Sequence, residues 1–254
     1  MTSAGDARPT EAERTARAAL VYQALRRAYP DADCELDFAD PFQLLVATVL
    51  SAQSTDVGVN KVTPVLFGRF PDAAALSCAE RTEVEEIIRP TGFFRNKAAA
   101  IQGIAAELVE RFDGAVPPSQ ADLVSLPGVG RKTANVVLGH AFGVPGITAD
   151  THVIRLSQRL GWTATSKPEA VEADLDALFP QDQWTRLSDC LIWHGRRCCH
   201  AKKPACGACP VALWCPAFGA GPTDPGLAAA LVKGPPGTRP ALRHRLPEPV
   251  DGSS

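Results

Sequence analysis

The sequence has no long apolar run. Nowhere in its 254 residues is there a stretch of roughly 18 apolar residues, the length that a membrane-spanning helix needs. Residues 1–14 mix both charge signs and lack the apolar centre of a secretion signal. We therefore expect a soluble, cytoplasmic protein with no membrane partner.

A surplus of one charge sign is also absent. The chain has 26 basic and 28 acidic residues and a net charge of −2, so its overall charge gives no indication of a polyanionic partner. Any surface that binds nucleic acid must therefore be local. The hydrophobic share of 45% is enough for a sizeable core in one large domain or two small ones.

The alternation of apolar and polar residues that marks β-strands is nearly absent, and no internal repeat is evident. Apolar residues instead recur at helical spacing from end to end, which predicts an all-α fold. Pro64 is expected to kink or shorten the third helix, because proline lacks a backbone N–H. The predicted helices cover residues 11–27, 40–53, 55–67, 79–88, 95–112, 119–127, 130–142, 150–160, 166–178 and 183–196.

Two terminal stretches lack the residues of a packed core. After Cys215 the chain carries eight prolines among glycines and small residues, and such a composition cannot bury a core of its own. We therefore expect residues 218–254 and residues 1–10 to be disordered tails.

The cysteine pattern does not support disulfides. Five of the eight cysteines fall between Cys198 and Cys215, too close together to staple a fold of this size. Four of these five follow the spacing C-x6-C-x2-C-x5-C, and four close thiolates suit a cubane iron–sulfur cluster. Zinc is the alternative, although a four-cysteine zinc site usually presents two close pairs, and this spacing contains one. The isolated cysteines, expected to be reduced and partly buried, are Cys34, Cys78 and Cys190.

The segment from Leu126 to Thr133 reads L-P-G-V-G-R-K-T and joins two predicted helices in a helix–hairpin–helix. Glycines on both sides of Val129 let the backbone turn tightly, so the N–H groups that open the second helix can face one phosphate oxygen. Such a contact positions a duplex without reading its bases. A tight turn between helices with no ligand is the alternative.

Lys132 lies in the first turn of the helix that the hairpin opens, and Asp150 follows eighteen residues later at another predicted helix start. An uncharged lysine amine can attack carbon, and a carboxylate nearby can stabilise positive charge or move a proton. Each residue also has a simpler interpretation, because Lys132 can pair with phosphate and Asp150 can cap its helix. The spacing favours a catalytic pair if the two helices pack antiparallel.

Longer motifs surround these residues. They read L-P-G-V-G-R-K-T-A-N-V-V-L from Leu126, D-T-H-V-x-R-L from Asp150, and H-G-R-x-C-C from His194 ahead of the cysteine spacing. Together they resemble the iron–sulfur branch of the helix–hairpin–helix DNA glycosylase superfamily. The resemblance covers about residues 20–216 and includes S-A-Q-S-T-D at 51–56 and G-F-F-R-N-K at 92–97.

This resemblance implies a two-lobed, all-α glycosylase fold. One lobe would be a six-helix barrel of residues 34–144 that carries the hairpin, and the other would join residues 11–33 to residues 145–217 and hold a [4Fe–4S] cluster. The implied function is base excision repair by a bifunctional DNA glycosylase and abasic-site lyase that removes oxidised pyrimidines. The implied partner is double-stranded DNA with damaged bases or abasic sites. A monomer is expected, associated with the nucleoid if the protein is bacterial.

The resemblance also implies roles for single residues. Lys132 would be the Schiff-base nucleophile at the anomeric carbon of the sugar, with Asp150 assisting, and β-elimination would then cleave the strand. Gln53 would enter the gap left by the flipped nucleotide, and Phe93 would be a wedge on the opposite strand, because extruding a base costs about a few kcal/mol. Alternatively, Phe93 is core and Gln53 caps a helix end. The hairpin residues that would contact DNA are Leu126, Gly128, Val129, Gly130, Arg131 and Thr133.

By adjacency Cys198 is an alternative first ligand of the cluster. The resemblance instead places the ligands at Cys199, Cys206, Cys209 and Cys215, which leaves Cys198 dispensable. Outside the cysteines, Asp56 is expected to support the site or to cap a helix. Because no second histidine or carboxylate accompanies His152 or His194 at ligand spacing, both are interpreted as structural hydrogen-bonding residues. A local basic segment that could contact phosphates comprises Arg196, Arg197, His200, Lys202 and Lys203.

Two other functions fit parts of the pattern. An adenine-specific mismatch glycosylase of the same superfamily shares the hairpin, the aspartate and the cluster, but it lacks a lysine at the position of Lys132 and bears a large extra domain. A non-catalytic DNA-binding scaffold would use the hairpin and the cluster only to hold phosphate. Such a scaffold would bind damaged duplex with a strong salt dependence, release no base and nick no strand.

Overall fold

The computed structural model describes residues 10–234, and the regular secondary structure within that range is entirely helical. The all-α fold that the sequence predicts is confirmed. No helix among these residues is both long and apolar enough to cross a membrane. The α-helices of residues 10–234 are α1 (Glu11–Ala28), α2 (Pro41–Leu50), α3 (Asp56–Arg69), α4 (Ala73–Ser77), α5 (Arg81–Ile88), α6 (Phe94–Phe112), α7 (Gln120–Ser125), α8 (Arg131–Ala141), α9 (Thr151–Arg159), α10 (Pro168–Asp176), α11 (Trp184–Arg197) and α12 (Pro225–Ala229).

Short polar residues begin most of these helices. Thr10 and Glu13 form a reciprocal capping box at the start of α1, in which each side chain accepts a backbone N–H of the other residue. Asp40 caps α2 and is followed by Pro41, whose fixed φ suits the first turn. Comparable side-chain caps start α3, α4, α7, α9 and α12, at Thr55, Asp72, Ser119, Asp150 and Asp224.

The chain divides into two compact units, and residues 34–146 form the first, here called the hairpin unit. Helix α2 is its most deeply buried element, with eight of its ten residues buried, because its sequence is apolar on nearly every face. Helices α3, α6 and α8 pack against α2, and α4 and α5 pack against α6. The hairpin between α7 and α8 is therefore attached to the core of this unit through α8.

The second unit, here called the cysteine unit, contains residues 10–33 and 147–234 of the described chain. Helix α11 packs against both α9 and α1, around the fully buried rings of Trp162 and Trp193. Trp193 also donates its indole N–H to the carbonyl of Asp33 at 3.0 Å. Gly195 permits the close approach of α11 to α9, since an added Cβ would lie 2.7 Å from Nδ1 of His152.

Three local expectations differ from the structure. Helix α3 continues through Pro64 to Arg69, because buried residues on both sides of the proline offset the loss of one backbone hydrogen bond. Helix α4 was not predicted, because five residues are too few to show a helical period. Helix α10 begins after Lys167 with Pro168 in its first turn, so the predicted start at residue 166 was two residues too early.

Residues 217–233 form an ordered segment, here called the C-terminal strap, so the predicted disorder was wrong for residues 218–234. The strap includes α12, whose Ala228 is fully buried. Gly207 donates its N–H to the carbonyl of Pro222 at 2.9 Å, and Lys233 donates to that of Arg197 at 2.8 Å. The prediction failed because the strap has no core of its own and is held by the cysteine loop. The disorder predicted for residues 1–9 and 235–254 lies outside the described residues.

Candidate active site and metal centre

The hairpin between α7 and α8 is anchored from within the hairpin unit. Leu126 and Val129 are 2% and 5% exposed and belong to the hydrophobic core. Pro127 packs over Gly103 of α6. A Cβ added at Gly103 would lie 3.3 Å from Cγ of Pro127. Gly128 has a φ of 75°, in the left-handed region that favours glycine. The DNA contacts predicted at Leu126 and Val129 could therefore involve their backbone but not their side chains.

The beginning of α8 presents polar backbone groups at the surface. Gly130 is the N-cap and has no side chain with which to cap the helix. Gly128, Gly130 and Arg131 are exposed, and Thr133 is half-buried. The first N–H groups of an α-helix have no acceptors within the helix and carry the positive end of its dipole. This end of α8 is therefore suited to bind an anion such as phosphate.

Lys132 is exposed in the first turn of α8. Within residues 10–234, no hydrogen bond or ion pair engages its side chain. The amine is therefore available to a ligand that approaches the anion-binding end of the helix.

Asp150 is the N-cap of α9. Its Oδ1 accepts hydrogen bonds from the backbone N–H groups of His152 and Val153, both at 2.8 Å. No hydrogen bond with another described residue uses Oδ2. The structure therefore gives Asp150 its capping role and leaves one carboxylate oxygen available for chemistry.

The predicted wedge residues share an unusual backbone conformation. Within residues 10–234, the non-glycine residues with positive φ are Gln53 at 56°, Phe93 at 49° and Asp113 at 53°. An L-residue in this left-handed region is strained by about 1–2 kcal/mol. The surrounding structure therefore holds these residues in a conformation that they would not adopt alone.

Phe93 and Gln53 both lie at the surface of the hairpin unit. Phe93 is 65% exposed, which excludes the interpretation that it is core. The neighbouring Phe94 is half-buried, with guanidinium carbons of Arg89 and Arg95 at 5.4 and 5.6 Å from its ring centre. Gln53 is exposed in the turn after α2, beyond the C-cap at Ser51, so it does not cap that helix.

Asp56 is the first residue of α3. The cap of this helix is Thr55, whose hydroxyl accepts the N–H of Gly58 at 3.1 Å. The interpretation of Asp56 as a helix cap was therefore wrong, and the residue instead adds negative charge at the positive end of the helix dipole.

The cysteine spacing folds into a loop of two short 3₁₀ turns, Cys206–Ala208 and Ala212–Trp214. Its four cysteines and Cys198 line one cavity with about 320 Å³ of empty space. Ala217, Phe218 and Ala220 of the strap complete the wall of this cavity. The residues that line the cavity therefore all belong to the cysteine unit.

The chemistry of the cavity fits an iron–sulfur cluster. Burial raises the pKa of the Cys199 and Cys215 thiols, so a thiolate at either position needs a positive partner. Cluster iron supplies such a partner, and thiolates are its usual protein ligands. Arg159 also donates a hydrogen bond to Sγ of Cys199 at 3.1 Å.

Cys198 lies close to Cys209 in the same wall. Its Sγ, Sγ of Cys209 and Nε2 of His194 lie within 4.8 Å of one another. A hydrogen bond with Cys198, together with burial, raises the pKa of Cys209 to about 12. The Cys198 thiol also approaches the carbonyl of Ala205 at 3.8 Å as a donor. Proximity alone therefore does not separate Cys198 from the four cysteines of the predicted spacing.

Both motif histidines make side-chain hydrogen bonds. Nδ1 of His194 lies 2.9 Å from the hydroxyl of Tyr29, and its Nε2 lies 3.4 Å from Sγ of Cys209. Nδ1 of His152 lies 3.0 Å from Nη2 of Arg155. Burial lowers the pKa of His152, which favours a neutral ring that accepts this hydrogen bond.

The basic segment near the cysteines is only partly available to a ligand. The guanidinium carbon of Arg197 lies 3.9 Å from the ring centre of Trp193, and the ring of His200 hydrogen-bonds to the carbonyl of Leu231 at 2.8 Å. Arg196 is half-buried. The exposed cations of the segment are Lys202 and Lys203.

Comparisons with known proteins match most of this chain. Residues 46–181 match a model of the HhH-GPD superfamily of base excision DNA repair proteins, and residues 199–215 match the iron–sulfur binding domain of endonuclease III. Endonuclease III of Synechocystis sp. is 55% identical over 206 residues, which cover 81% of this chain and 94% of that protein. Endonuclease III of Escherichia coli is 41% identical over 191 residues, covering 75% and 90%.

Solved structures give the same result. A trapped covalent intermediate of endonuclease III with DNA matches with a TM-score of 0.77 and 41% identity, covering 80% of this chain and 96% of that one. A thermostable thymine-DNA glycosylase, 18% identical, matches with a TM-score of 0.72 over 80% of this chain and 97% of its own, a likeness of fold alone.

Geometry and comparisons agree on the class of protein, a helical DNA glycosylase whose thiol-lined cavity takes an iron–sulfur cluster. The chain belongs to the endonuclease III family of the HhH-GPD superfamily of base excision DNA repair proteins. It is a DNA glycosylase and abasic-site lyase with a [4Fe–4S] cluster.

The strained position of Phe93 generates a prediction about stability. Phe93→Gly is expected to leave the free energy of unfolding unchanged or to raise it by about 0.5–1 kcal/mol, because glycine relieves the left-handed conformation and little ring burial is lost. Asp113→Gly is the matched control at an exposed position of the same conformation. Chemical denaturation measures both. A loss of about 3 kcal/mol in Phe93→Gly, typical of a core phenylalanine, would contradict the prediction.

The strap generates a second prediction. An added Cβ at Gly207 would collide with the carbonyl oxygen of Thr223, so Gly207→Ala is expected to displace the strap from the cysteine loop. Limited proteolysis should then cut within residues 217–233 faster than in the wild type, and cluster absorbance should be lost faster under oxidant. Gly226→Ala in α12 is the control, because its Cβ meets only the side chain of Asp224, at 3.3 Å. Equal proteolysis of all three proteins would contradict the prediction.

Proposed function

We propose that this enzyme removes oxidised pyrimidines from duplex DNA through a Schiff base on Lys132 and then cleaves the strand by β-elimination. The observation that carries the proposal is the exposed amine of Lys132, which no described residue engages, in the first turn of the helix that the hairpin opens. A phosphate held by the backbone at this helix start brings the neighbouring sugar within reach of the amine.

The reaction proposed at Lys132 requires no external oxidant or reductant. The uncharged amine attacks C1′ of the deoxyribose, a C1′–N bond to lysine forms, and the bond from C1′ to the damaged base breaks. Opening of the sugar ring gives the protonated imine. Loss of a proton from C2′ then expels the 3′ phosphate, which cleaves the strand, and water finally releases the lysine.

Asp150 is proposed as the carboxylate that assists this reaction. Its Oδ1 is fixed by two backbone N–H groups, so the direction of the whole carboxylate is set by the start of α9. The remaining oxygen can stabilise positive charge at the sugar or accept the proton of the attacking amine. The side chain thus combines a structural and a chemical role.

Gln53 and Phe93 are proposed to occupy the space that an extruded nucleotide leaves in the duplex. Both side chains are exposed at turns with left-handed backbone, which supports a role outside the fold itself. Inserted side chains partly offset the stacking and pairing that are lost on extrusion. The backbone of residues 128–133 is proposed to hold the phosphates next to that nucleotide.

Cys199, Cys206, Cys209 and Cys215 are proposed as the cluster ligands, with Cys198 as a neighbour in the wall. The matched iron–sulfur domain begins at Cys199 and ends at Cys215, which supports this choice. The bound cluster supplies iron–thiolate bonds that stabilise the loop. The domain roles proposed with it are DNA backbone binding for the hairpin unit and cluster binding for the cysteine unit.

The enzyme is proposed to act as a monomer on chromosomal DNA, in the nucleoid if the cell is bacterial, because one chain supplies all the proposed site residues. Adenine-specific mismatch repair is not favoured, since the relatives with high coverage are endonucleases III and a lysine is present at 132. A non-catalytic scaffold is not favoured either, because the chain belongs to this enzyme family.

Covalent trapping tests the role of Lys132. With cyanoborohydride and duplex DNA that contains one oxidised pyrimidine, the wild type is expected to form a reduced, covalent adduct, and Lys132→Ala is expected to form none. Lys167→Ala, at another exposed lysine, is the matched control and should trap like the wild type. Gel electrophoresis measures the adduct. Undiminished trapping in Lys132→Ala would show that Lys132 is not the Schiff-base nucleophile.

Asp150→Asn separates the two roles of Asp150. Asparagine caps a helix about as well as aspartate, so the free energy of unfolding should stay within about 0.5 kcal/mol of the wild type. Without the negative charge, the single-turnover rate of base release is expected to fall about 100-fold. A wild-type rate in Asp150→Asn would show that Asp150 is only a cap.

A further inference from the structure

A buried lysine lies beneath two exposed segments of the hairpin unit, here called the Gln53 turn and the Phe93 turn after the residues that they carry. Lys97, on α6, is 6% exposed, and burial lowers its pKa. Its ammonium group donates hydrogen bonds to Oγ of Ser54 and to the backbone carbonyl of Thr91, both at 2.7 Å. Within residues 10–234 it makes no salt bridge, so both of its acceptors are uncharged.

These contacts connect two segments that are distant in sequence. Ser54 follows Gln53, and Thr91 lies two residues before Phe93. The hydroxyl of Ser54 donates directly to the carbonyl of Thr91. The backbone N–H of Lys97 donates to the carbonyl of Phe93 at 3.1 Å. One hydrogen-bonded network therefore includes the neighbours of both strained, exposed residues.

Burying an ammonium group inside a protein costs desolvation free energy. Burying a charge without an opposite charge is unfavourable, and an apolar side chain of similar volume is often neutral or stabilising at such a position. Packing alone therefore does not account for the lysine. Two strong, charge-assisted hydrogen bonds to two different turns do account for it, because they fix the distance between those turns.

We propose that Lys97 is a positioning residue that holds the Gln53 turn and the Phe93 turn at a fixed spacing, so that both side chains can enter the duplex together when a base is extruded. This inference rests on the wedge roles given to Gln53 and Phe93 in the proposed function. Lys97 itself is buried and acts through these turns.

Lys97→Met is the informative variant, because methionine fills the space of the lysine stem and removes both side-chain hydrogen bonds. The matched control is Gln102→Met on the same helix. Gln102 is 8% exposed, and its amide donates to the carbonyl of Ala79 at 2.7 Å and to that of Leu76 at 3.4 Å. Both variants thus lose buried hydrogen bonds of α6, but only Lys97→Met affects the two turns.

Two rates distinguish positioning from general destabilisation. The first is single-turnover base release from duplex DNA with a thymine glycol paired with adenine, and the second is strand cleavage of a duplex with a preformed abasic site. Extrusion is easier when no base must be unstacked. Lys97→Met is therefore expected to slow base release about tenfold and abasic-site cleavage less than about threefold. Gln102→Met should change both rates by the same small factor.

Equal slowing of both reactions in Lys97→Met would reduce Lys97 to an ordinary structural residue and overturn the proposal. Unchanged base release would overturn it as well. If Lys97→Met folds poorly, Ser54→Ala removes one acceptor and leaves the lysine in place. It should slow base release selectively but by a smaller factor, and equal slowing of both reactions in Ser54→Ala would overturn the proposal.

Fluorescence of 2-aminopurine placed opposite the lesion measures extrusion without any chemistry. Lys132→Ala and Lys132→Ala/Lys97→Met are compared. The change in 2-aminopurine fluorescence on DNA binding is expected to be several-fold weaker in the double variant. An equal change in both proteins would overturn the positioning role. Failure of the proposed function has a different signature, because Lys132→Ala would then still cleave damaged strands. The two ideas can therefore fail independently.

Discussion

Backbone N–H groups at helix starts, which a helix cannot pair within itself, need partners from outside the helix, and this requirement underlies the proposed active site. At the start of α9, the side chain of Asp150 satisfies two of them and is itself oriented in return. At the start of α8, Gly130 offers no side chain, so the corresponding groups stay available to a phosphate. The same requirement for partners thus produces a fixed carboxylate at one helix and an anion site beside Lys132 at the other.

The second theme is strain held by buried polar contacts. Gln53 and Phe93 adopt a backbone conformation that glycine would adopt more easily, and the network around Lys97 runs directly beneath them. A turn that is already held in one conformation loses little entropy on binding. The hairpin unit is therefore preorganised at the two positions that we propose enter the duplex.

Local signals explain what the sequence could predict. Caps and glycines are short-range features, so the main helices, the hairpin and the cysteine spacing could be identified without a structure. The contact of Lys97 with Ser54 spans 43 positions, and no local pattern distinguishes a buried lysine from a solvated one. The strap was missed because its proline-rich composition is typical of disorder, whereas its order comes from backbone hydrogen bonds to the cysteine loop. Long-range contacts between ordinary residues were thus the part that sequence could not provide.

The cysteine unit is discontinuous in sequence, and this has a consequence for synthesis on the ribosome. Residues 34–146 form one uninterrupted unit that can fold as soon as it emerges, whereas α1 packs against α11 and Tyr29 hydrogen-bonds to His194, 165 positions later. Helix α1 must therefore wait until α11 has been synthesised before it finds its partner. Until then the apolar face of α1 remains exposed, so a chaperone would have the most to protect in the interval between the synthesis of α1 and that of α11.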